Sequence, residues 1–168
     1  MKTGSTSFDE KAMRLMVERH YEDVLAYCRR HAPVSAAEDL TQETFLRFVR
    51  RAEAYDERGK PLALLLTIAR NACIDAARSA SRAPSFVELD EGLEPSQSDS
   101  YAVELESALA SLPPDEREAL ELRFDQGLGV AEAASVMGMS RFAMNRLLKR
   151  ALAHARSALA PDPKGRLK

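Results

Sequence analysis

The sequence predicts an all-α protein made of two small helical modules that are joined by a flexible acidic linker. Over most of the 168 residues, apolar side chains recur with the helical period of about 3.6 residues. No segment of strand length alternates apolar and polar residues, and no Asn-Gly pair marks a hairpin. Between residues 79 and 100, Ser, Pro, Asp and Glu dominate and the periodicity is lost, which is typical of a linker.

The first module is predicted to contain three helices. One apolar face indicates the first helix, which ends before Pro33; its members are Val17, Tyr21, Val24, Leu25 and Cys28. Ser35 and Glu38 have the spacing of a capping box, so a second helix is predicted over residues 36–54. A proline at position 61 suits the first turn of a third helix, over residues 61–79.

The second module is predicted to contain four helices. They cover residues 102–112, 115–126, 130–137 and 141–159. Gly127 has the position of a glycine that comes directly after the last residue of a helix.

These elements divide the chain into four parts. The first module covers residues 8–80, the linker residues 81–101, the second module residues 102–160 and a tail residues 161–168.

The charge of the chain is unevenly distributed. The net charge of −2 excludes a uniformly basic protein that wraps nucleic acid. Residues 84–106 contain seven acidic and no basic side chains, whereas residues 140–168 contain eight basic side chains and one acidic one. The basic segment favours contact with a phosphate backbone, and the acidic segment favours a solvated linker or a partner.

Other classes of protein lack support in the sequence. The longest apolar run, residues 61–66, is far shorter than the ~20 residues of a membrane span, and no secretory signal begins the chain. Cys28 and Cys73 form no C-x-x-C pair, and the histidines lack metal-ligand spacing. The sequence contains no paired carboxylates, no Ser/His/Asp set and no phosphate-binding glycine loop, so no pattern in it indicates catalysis. We therefore expect a cytoplasmic protein that is not an enzyme and has no cofactor, no metal site and no membrane insertion.

A helix-turn-helix pattern covers residues 130–149. Ala134 allows two helices to approach closely, and Gly138 lies at the turn, where a positive φ is easiest for glycine. Ser140 suits the N-cap of the second helix, and Met144 suits its buried anchor. A plain helical hairpin remains an alternative to a DNA-binding motif at this point.

The last helix has two unlike faces. Its apolar side consists of Met144, Leu147, Leu148 and Ala151. The opposite side consists of Phe142, Asn145, Arg146, Lys149 and Ala153, with Arg150 at its flank. In a helix-turn-helix the opposite side enters the major groove, where Arg and Lys read guanine or hold phosphate and Asn reads adenine. A solvated face, with Phe142 packed on a neighbouring helix, is the alternative.

The second and third helices also present two faces each. The second helix has an apolar side of Ala37, Leu40, Thr44, Phe45, Phe48 and Ala52, opposite Asp39, Gln42, Glu43, Leu46, Arg50 and Glu53. The third helix turns Leu62, Leu65, Ala69, Ala72, Cys73 and Ala76 inward and Thr67, Arg70, Asn71, Ile74 and Arg78 outward. An exposed leucine at position 46 favours a protein-docking face, and the outward arginines favour phosphate. Plain solvent surface is the alternative for both.

Two stretches together resemble one protein family. Residues 38–47 (EDLTQETFLR) and 61–75 (PLALLLTIARNACID) resemble region two of the extracytoplasmic-function (ECF) sigma factors of RNA polymerase. Residues 112–120 (LPPDEREAL), the helix-turn-helix and residues 150–152 (RAL) resemble region four. Residues 61–75 and the RALAHAR ending most resemble the iron- and siderophore-responsive subgroup.

The resemblance implies roles for three sets of residues. The segment that docks on the clamp helices of core RNA polymerase matches Asp39, Leu40, Gln42, Glu43, Phe45 and Leu46. Recognition of the minus-10 element, including a flipped base, matches Tyr55, Arg58, Lys60, Arg70, Asn71 and Arg78. Recognition of the minus-35 element matches Ser140, Arg141, Phe142, Asn145, Arg146, Lys149 and Arg150. The implied partners are core RNA polymerase, double-stranded and melted promoter DNA, and an anti-sigma factor.

The sequence departs from the family pattern at three places. Leu64 replaces a common aromatic residue, Asn145 replaces a basic residue, and Ala143-Met144 replaces a Thr-Val pair. The sequence therefore does not specify the promoter. Two other functions are alternatives: a sigma mimic that sequesters an anti-sigma factor, and a stand-alone helix-turn-helix repressor.

Overall fold

The computed structural model describes residues 10–51, 61–81 and 100–159, and all regular elements in these ranges are helices. The chain separates into two compact units, Met1–Asp90 and Glu91–Lys168. The all-α prediction and the prediction of two helical modules are confirmed. Most of the predicted linker, and the predicted tail, lie outside the described residues.

The first unit is a bundle of three helices that pack against one another in every pairing. They are α1 (Glu10–His31), α2 (Val34–Arg51) and α3 (Pro61–Ala80). The buried side chains of the bundle are Val24, Leu25, Tyr27, Cys28, Ala37, Thr41, Thr44, Phe45, Phe48, Leu65, Leu66, Ile68, Ala69, Ala72 and Cys73. The two buried threonines are tolerated because their hydroxyls donate to the helix backbone, Thr41 to the Ala37 carbonyl and Thr44 to the Leu40 carbonyl.

The start of α2 differs from the prediction. The helix begins at Val34, so Ser35 lies inside the first turn and the predicted capping box at Ser35 is wrong. The Ala36 N–H donates to the Pro33 carbonyl over 2.9 Å, so the first turn of the helix starts from the proline. The predicted end of this helix, residues 52–54, lies outside the described residues.

The second unit is built around its last helix. Its elements are α4 (Ser100–Ala110), α5 (Pro114–Leu120), α6 (Val130–Val136) and α7 (Arg141–Leu159). Helix α7 packs against each of the other three. Its buried side chains, Met144, Leu147, Leu148, Ala151 and Ala155, complete the core of this unit. Burying a leucine is worth about 1.5–3 kcal/mol, so this face holds the module together.

The predicted helix over residues 115–126 is not uniform. After α5 the chain makes a π-helical turn, Glu121–Asp125, in which the Gln126 N–H donates to the Glu121 carbonyl over 2.9 Å. Gly127 then ends the helix with φ +64°, as predicted.

Membrane-spanning helices and metal clusters are both absent from the described residues. No helix among them is both long and apolar enough to cross a membrane. No group of three or more His, Cys, Asp or Glu side chains among them has an arrangement that could hold a metal ion.

Candidate nucleic-acid interface

The turn between α6 and α7 has the geometry of a helix-turn-helix. Gly138 has φ +66°, and the Met139 N–H donates to the Ala134 carbonyl over 2.9 Å. Ser140 caps α7, because its Oγ accepts a hydrogen bond from the Ala143 N–H over 3.1 Å. Ala134 and Met144 are buried. The glycine turn, the serine cap and the methionine anchor are therefore confirmed.

The outward face of α7 is exposed along its length. Phe142, Asn145, Arg146, Lys149, Arg150 and Ala153 are all exposed, together with Ser140 and Arg141. The Phe142 side chain is 71% exposed, so it does not pack on a neighbouring helix as the alternative required. The Arg146 guanidinium lies 5.1 Å from the centroid of the Phe142 ring, which holds a cation and an apolar ring together. Such a face offers base-edge, phosphate and thymine-methyl contacts.

A buried carboxylate anchors the flank of this face. Glu116 of α5 is buried, and its Oε1 accepts from Arg150 Nε over 2.6 Å while its Oε2 lies 2.7 Å from His154 Nδ1. Burial alone raises the pKa of the Glu116 carboxyl, but the hydrogen bonds and charges of Arg150 and His154 outweigh it and lower that pKa. Arg150 remains exposed, and a guanidinium has five N–H donors, so the ion pair leaves it able to meet phosphate.

The contact of the Glu116 carboxylate with Arg150 and His154 was not predicted from the sequence. Arg150 and His154 are spaced four residues apart on one side of α7, but nothing local indicates which acid they meet. The partner comes from α5, and only the packing of the two helices brings it there.

In the first unit, three of the six predicted docking residues, Gln42, Phe45 and Leu46, line a shallow apolar groove, whereas Asp39, Leu40 and Glu43 do not. Asp39 and Gln42 are exposed, Leu40 and Glu43 are half-buried, and the Leu46 side chain is 52% exposed. Phe45 is only 7% exposed, and its ring stacks on Tyr21 with 6.1 Å between centroids. The groove has a volume of about 310 Å³ and is lined by Val17, Tyr21, Gln42, Phe45, Leu46 and Val49.

Three lining residues of the groove were not predicted. Val17 and Tyr21 were placed on the buried face of the first helix, but both are only half-buried. Val49 comes after Gln42 and Leu46 at positions i, i+4 and i+7, so its place on this stripe was available from the helical period.

The predicted minus-10 residues of α3 come together around a second, polar cavity. The cavity has a volume of about 510 Å³ and is lined by Arg47, Ile68, Arg70, Asn71, Ile74, Asp75 and Arg78. Arg47 of α2 was missed; its Nε donates to Glu43 over 2.8 Å and its Nη1 lies 4.0 Å from Asp75. With Glu43 counted as the partner of Arg47, the cavity has three guanidinium groups and two carboxylates, Glu43 and Asp75, and the remaining positive charge favours an anionic ligand. The predicted Tyr55, Arg58 and Lys60 lie outside the described residues.

Comparison with known families matches both units. The model of sigma-70 region 2 matches residues 16–83 and the model of sigma-70 region 4 matches residues 102–154. The chain is 40% identical over 139 residues to the ECF RNA polymerase sigma factor BldN of Streptomyces coelicolor; the match covers 76% of this chain and 52% of that protein, so the chain spans about half the length of this relative. It is 30% identical over 158 residues to the ECF RNA polymerase sigma factor SigC of Mycobacterium tuberculosis, covering 90% of this chain and 83% of that one.

Solved structures have the same fold. The sigma factor RpoE of Bartonella quintana, in complex with the anti-sigma factor NepR, matches with a TM-score of 0.74 and 23% identity over 90% of this chain and 99% of that chain. CnrH, in complex with the cytosolic domain of CnrY, matches with a TM-score of 0.65 and 26% identity over 92% of each chain. With both family models matched in order and relatives at 30–40% identity, the chain belongs to the ECF RNA polymerase sigma factors of the sigma-70 family.

Proposed function

We propose that this chain is an alternative sigma factor that binds core RNA polymerase, directs it to specific promoters and helps to open them. The observation that carries the proposal is the exposed face of α7, where Asn145, Arg146 and Lys149 lie opposite the buried Met144. A sigma mimic has no need of amide and basic side chains on this face. In this proposal RNA synthesis is catalysed by the polymerase and not by this chain. The chain is cytoplasmic because it must bind core polymerase there.

Each surface has one role in this proposal. The groove of α1 and α2, with Asp39, Leu40, Gln42, Glu43, Phe45 and Leu46, docks on the polymerase clamp helices. The apolar stripe supports this role, because buried apolar anchors carry much of the energy of protein interfaces. Phe45 contributes chiefly by holding Tyr21 in place, since little of its own surface is exposed.

The polar cavity of α3 meets the minus-10 element. Arg70 and Arg78 hold successive phosphates of the melted strand and Asn71 bonds a base, with Arg47 as an addition to this set. Tyr55, Arg58 and Lys60 accept the flipped base. The outward residues of α7, from Ser140 to Arg150, read the minus-35 element.

The domain boundaries form part of the proposal. Region two covers residues 8–80, the linker 81–101, region four 102–160 and the tail 161–168; the matched ranges of the two family models support this division. The acidic linker threads through the polymerase, where its carboxylates take the place of nucleic-acid phosphates.

Regulation completes the proposal. CnrH was solved with the cytosolic domain of CnrY, which supports a protein regulator, an anti-sigma factor, for this chain as well. Membership of the iron- and siderophore-responsive subgroup rests on the PLALLLTIARNACID stretch and the RALAHAR ending. Expression of the chain's target genes under iron limitation tests the subgroup.

The central experiment compares the free chain with the holoenzyme. We expect promoter-specific binding and run-off transcription only when core polymerase is present, because the net charge of −2 and the acidic segment disfavour DNA binding by the free chain. Mobility shift at one fixed salt concentration measures both states. Tight specific binding by the free chain would support the repressor, and failure to bind core polymerase while binding an anti-sigma factor would support the mimic.

A further inference from the structure

The second residue of α7 is a large apolar side chain that the fold leaves in water. Phe142 is 71% exposed, and in α7, all of which the structure describes, it is the only large apolar side chain that is exposed. The Arg146 guanidinium, one turn further along the helix, lies over the Phe142 ring at 5.1 Å from its centroid. Within the described part of the chain this guanidinium makes no hydrogen bond or ion pair, so its N–H donors are available to a ligand.

We propose that Phe142 and Arg146 together read a thymine that lies beside a guanine in the minus-35 element. The Phe142 ring packs on the C5-methyl group of the thymine, and the Arg146 guanidinium donates to O6 and N7 of the guanine. The inference rests on the proposed function, because it assigns two neighbouring bases to the face of α7 that meets this element. It adds a partial promoter sequence, which the amino-acid sequence alone did not specify.

The chemistry of the base edges selects thymine for Phe142. In the major groove thymine presents a methyl group, whereas the other groups that distinguish the bases are hydrogen-bond donors and acceptors. A phenyl ring displaces water from such a polar group without replacing its hydrogen bond, which costs free energy. Against the methyl group, the ring instead removes apolar surface of both partners from water. An exposed phenylalanine at this position therefore favours thymine over the other three bases.

The ring also prepares Arg146 to bind guanine. A guanidinium presents its N–H donors as a planar fork, and two of them match O6 and N7 of guanine. The contact with the ring restricts the arginine before DNA binds, so less side-chain entropy is lost on binding. Positions 142 and 146 lie on the same side of the helix, so the two groups reach the DNA together. Since successive base pairs are about 3.4 Å apart, two side chains in contact with each other meet neighbouring base pairs.

The surroundings of Phe142 favour DNA over a protein partner. Helix α7 contains no acidic residue, and the exposed side chains of its first three turns include Arg141, Asn145 and Lys149. By contrast, the exposed Leu46 of the first unit lies in a groove with other apolar side chains, as in the core of a protein interface. A single apolar ring on a basic helix face is suited to a methyl group that is surrounded by phosphates.

The test uses duplex promoters and the holoenzyme assembled from the full chain and core polymerase. A library of single-base changes first locates the minus-35 thymine that the parent protein prefers beside a guanine. That thymine is then replaced by deoxyuridine, which pairs identically and lacks only the methyl group. At one fixed salt concentration, we expect the replacement to weaken promoter binding by the parent about three- to fivefold, the effect of losing one methyl group from an apolar contact. Phe142→Ala should bind the two promoters equally.

Further variants separate the ring from its apolar character. Phe142→Leu keeps an apolar side chain without a π face, so it should still prefer thymine to deoxyuridine but lose part of the preference for guanine over 7-deazaguanine, which lacks the N7 acceptor. Arg146→Ala should lose that second preference altogether. Phe124→Ala is the matched control, because Phe124 is 62% exposed, has the Arg123 guanidinium 5.6 Å from its ring centroid and lies outside α7. It should keep both preferences.

Two results would overturn the inference. One is a parent holoenzyme that does not distinguish thymine from deoxyuridine at any minus-35 position. The other is a Phe142→Ala variant that keeps its helicity by circular dichroism and still makes this distinction; weaker binding of that variant to core polymerase would then identify Phe142 as a protein contact. Both results leave the proposed function standing, because the parent still supports run-off transcription. Absence of run-off from every promoter would instead overturn the proposed function and this inference with it.

Discussion

Glu116 and Arg150 join α5 to the recognition helix through an ion pair of 2.6 Å between Glu116 Oε1 and Arg150 Nε. The carboxylate is buried while the guanidinium is exposed, and His154 Nδ1 lies 2.7 Å from the other carboxylate oxygen. One acidic side chain of the core thereby fixes two successive turns of α7. The predicted base contacts, Asn145 and Arg146, lie on the preceding turn, nearer the N-terminus of the helix. The orientation of the face that we propose to read DNA depends on Glu116, a residue that does not lie on that face.

Replacing this carboxylate is expected to make stability less dependent on pH. The folded-state pKa of Glu116 is lowered, so the stability it contributes is present above its unfolded-state pKa and is lost as the pH falls through its folded-state pKa. Glu116→Gln should therefore lower the melting temperature near neutral pH, and the difference from the parent protein should vanish in strong acid. Thermal denaturation followed by circular dichroism at several pH values measures this.

Asp115→Asn is the matched control, because Asp115 is the exposed neighbour of Glu116 on the same helix. It should leave the melting temperature nearly unchanged. If the two substitutions changed the melting temperature equally, or if the lower melting temperature of Glu116→Gln persisted in acid, the contact of the Glu116 carboxylate with Arg150 and His154 would not stabilise the fold.

Gly138 should tolerate substitution only by residues that accept a positive φ. Its φ is +66°, and a Cβ there would meet no atom within 4 Å, so any cost comes from the backbone alone. Gly138→Ala should destabilise the chain by about 1–2 kcal/mol, the cost of the left-handed conformation for an ordinary residue. Gly138→Asn should cost less, because Asn enters this region more readily. Urea denaturation measures both, and equal costs would contradict the backbone argument.

The apolar groove should bind core polymerase through Leu46. Truncating a central anchor of an interface often costs more than ~1 kcal/mol, so Leu46→Ala combined with Gln42→Ala should weaken binding several-fold in a competition assay. Leu15→Ala is the control, because Leu15 is 54% exposed against 52% for Leu46 and does not line the groove. Helicity should be unchanged in both. Unchanged affinity of the groove variant would remove the docking assignment.

Asn145 and Lys149 should divide base recognition from phosphate contact. Asn145 lies nearer the N-terminus of α7, the end that enters the groove deepest, and Lys149 lies one turn further on. Asn145→Ala should relax the preference at one minus-35 position by ~1–3 kcal/mol, whereas Lys149→Ala should weaken all promoter variants alike.

Run-off transcription over a library of single-base promoter changes separates these two outcomes. Arg156→Ala, which removes an exposed charge in the last turn of α7, is the control and should change little. If Asn145→Ala scaled every variant equally, or Lys149→Ala changed their ranking, the helix would dock in another orientation.

Features that depend on neighbours in sequence were predictable here. The turn at Gly138, the cap at Ser140 and the buried anchor Met144 all follow from local backbone chemistry and helical period, and the structure has each of them. The capping box at Ser35 failed because Pro33 starts the helix two residues earlier than the pattern indicated.

Features that depend on tertiary packing were not predictable. Glu116 meets Arg150 only because their helices pack together, and no spacing in the chain encodes that pairing. Tyr21 looked like a core residue because its position follows the apolar period. At the edge of a bundle, such a residue covers the core with one side of its ring and lines the groove with the other.

The π-helical turn after α5 acts as a phase shift in the helix. Leu120 is buried, and in an uninterrupted α-helix Phe124, four residues later, would lie on the same side. The turn contains one residue more than an α-helical turn, which shifts the side chains that follow by about 100° against the α-helical period of the sequence. Phe124, inside the turn, is 62% exposed, and the Arg123 guanidinium lies 5.6 Å from its ring centroid. Removing one residue within Glu121–Asp125 would leave an ordinary α-helical turn, so the side chains beyond it would keep their present direction. The helix can therefore change its length by one residue at this place without turning the following segment to another side.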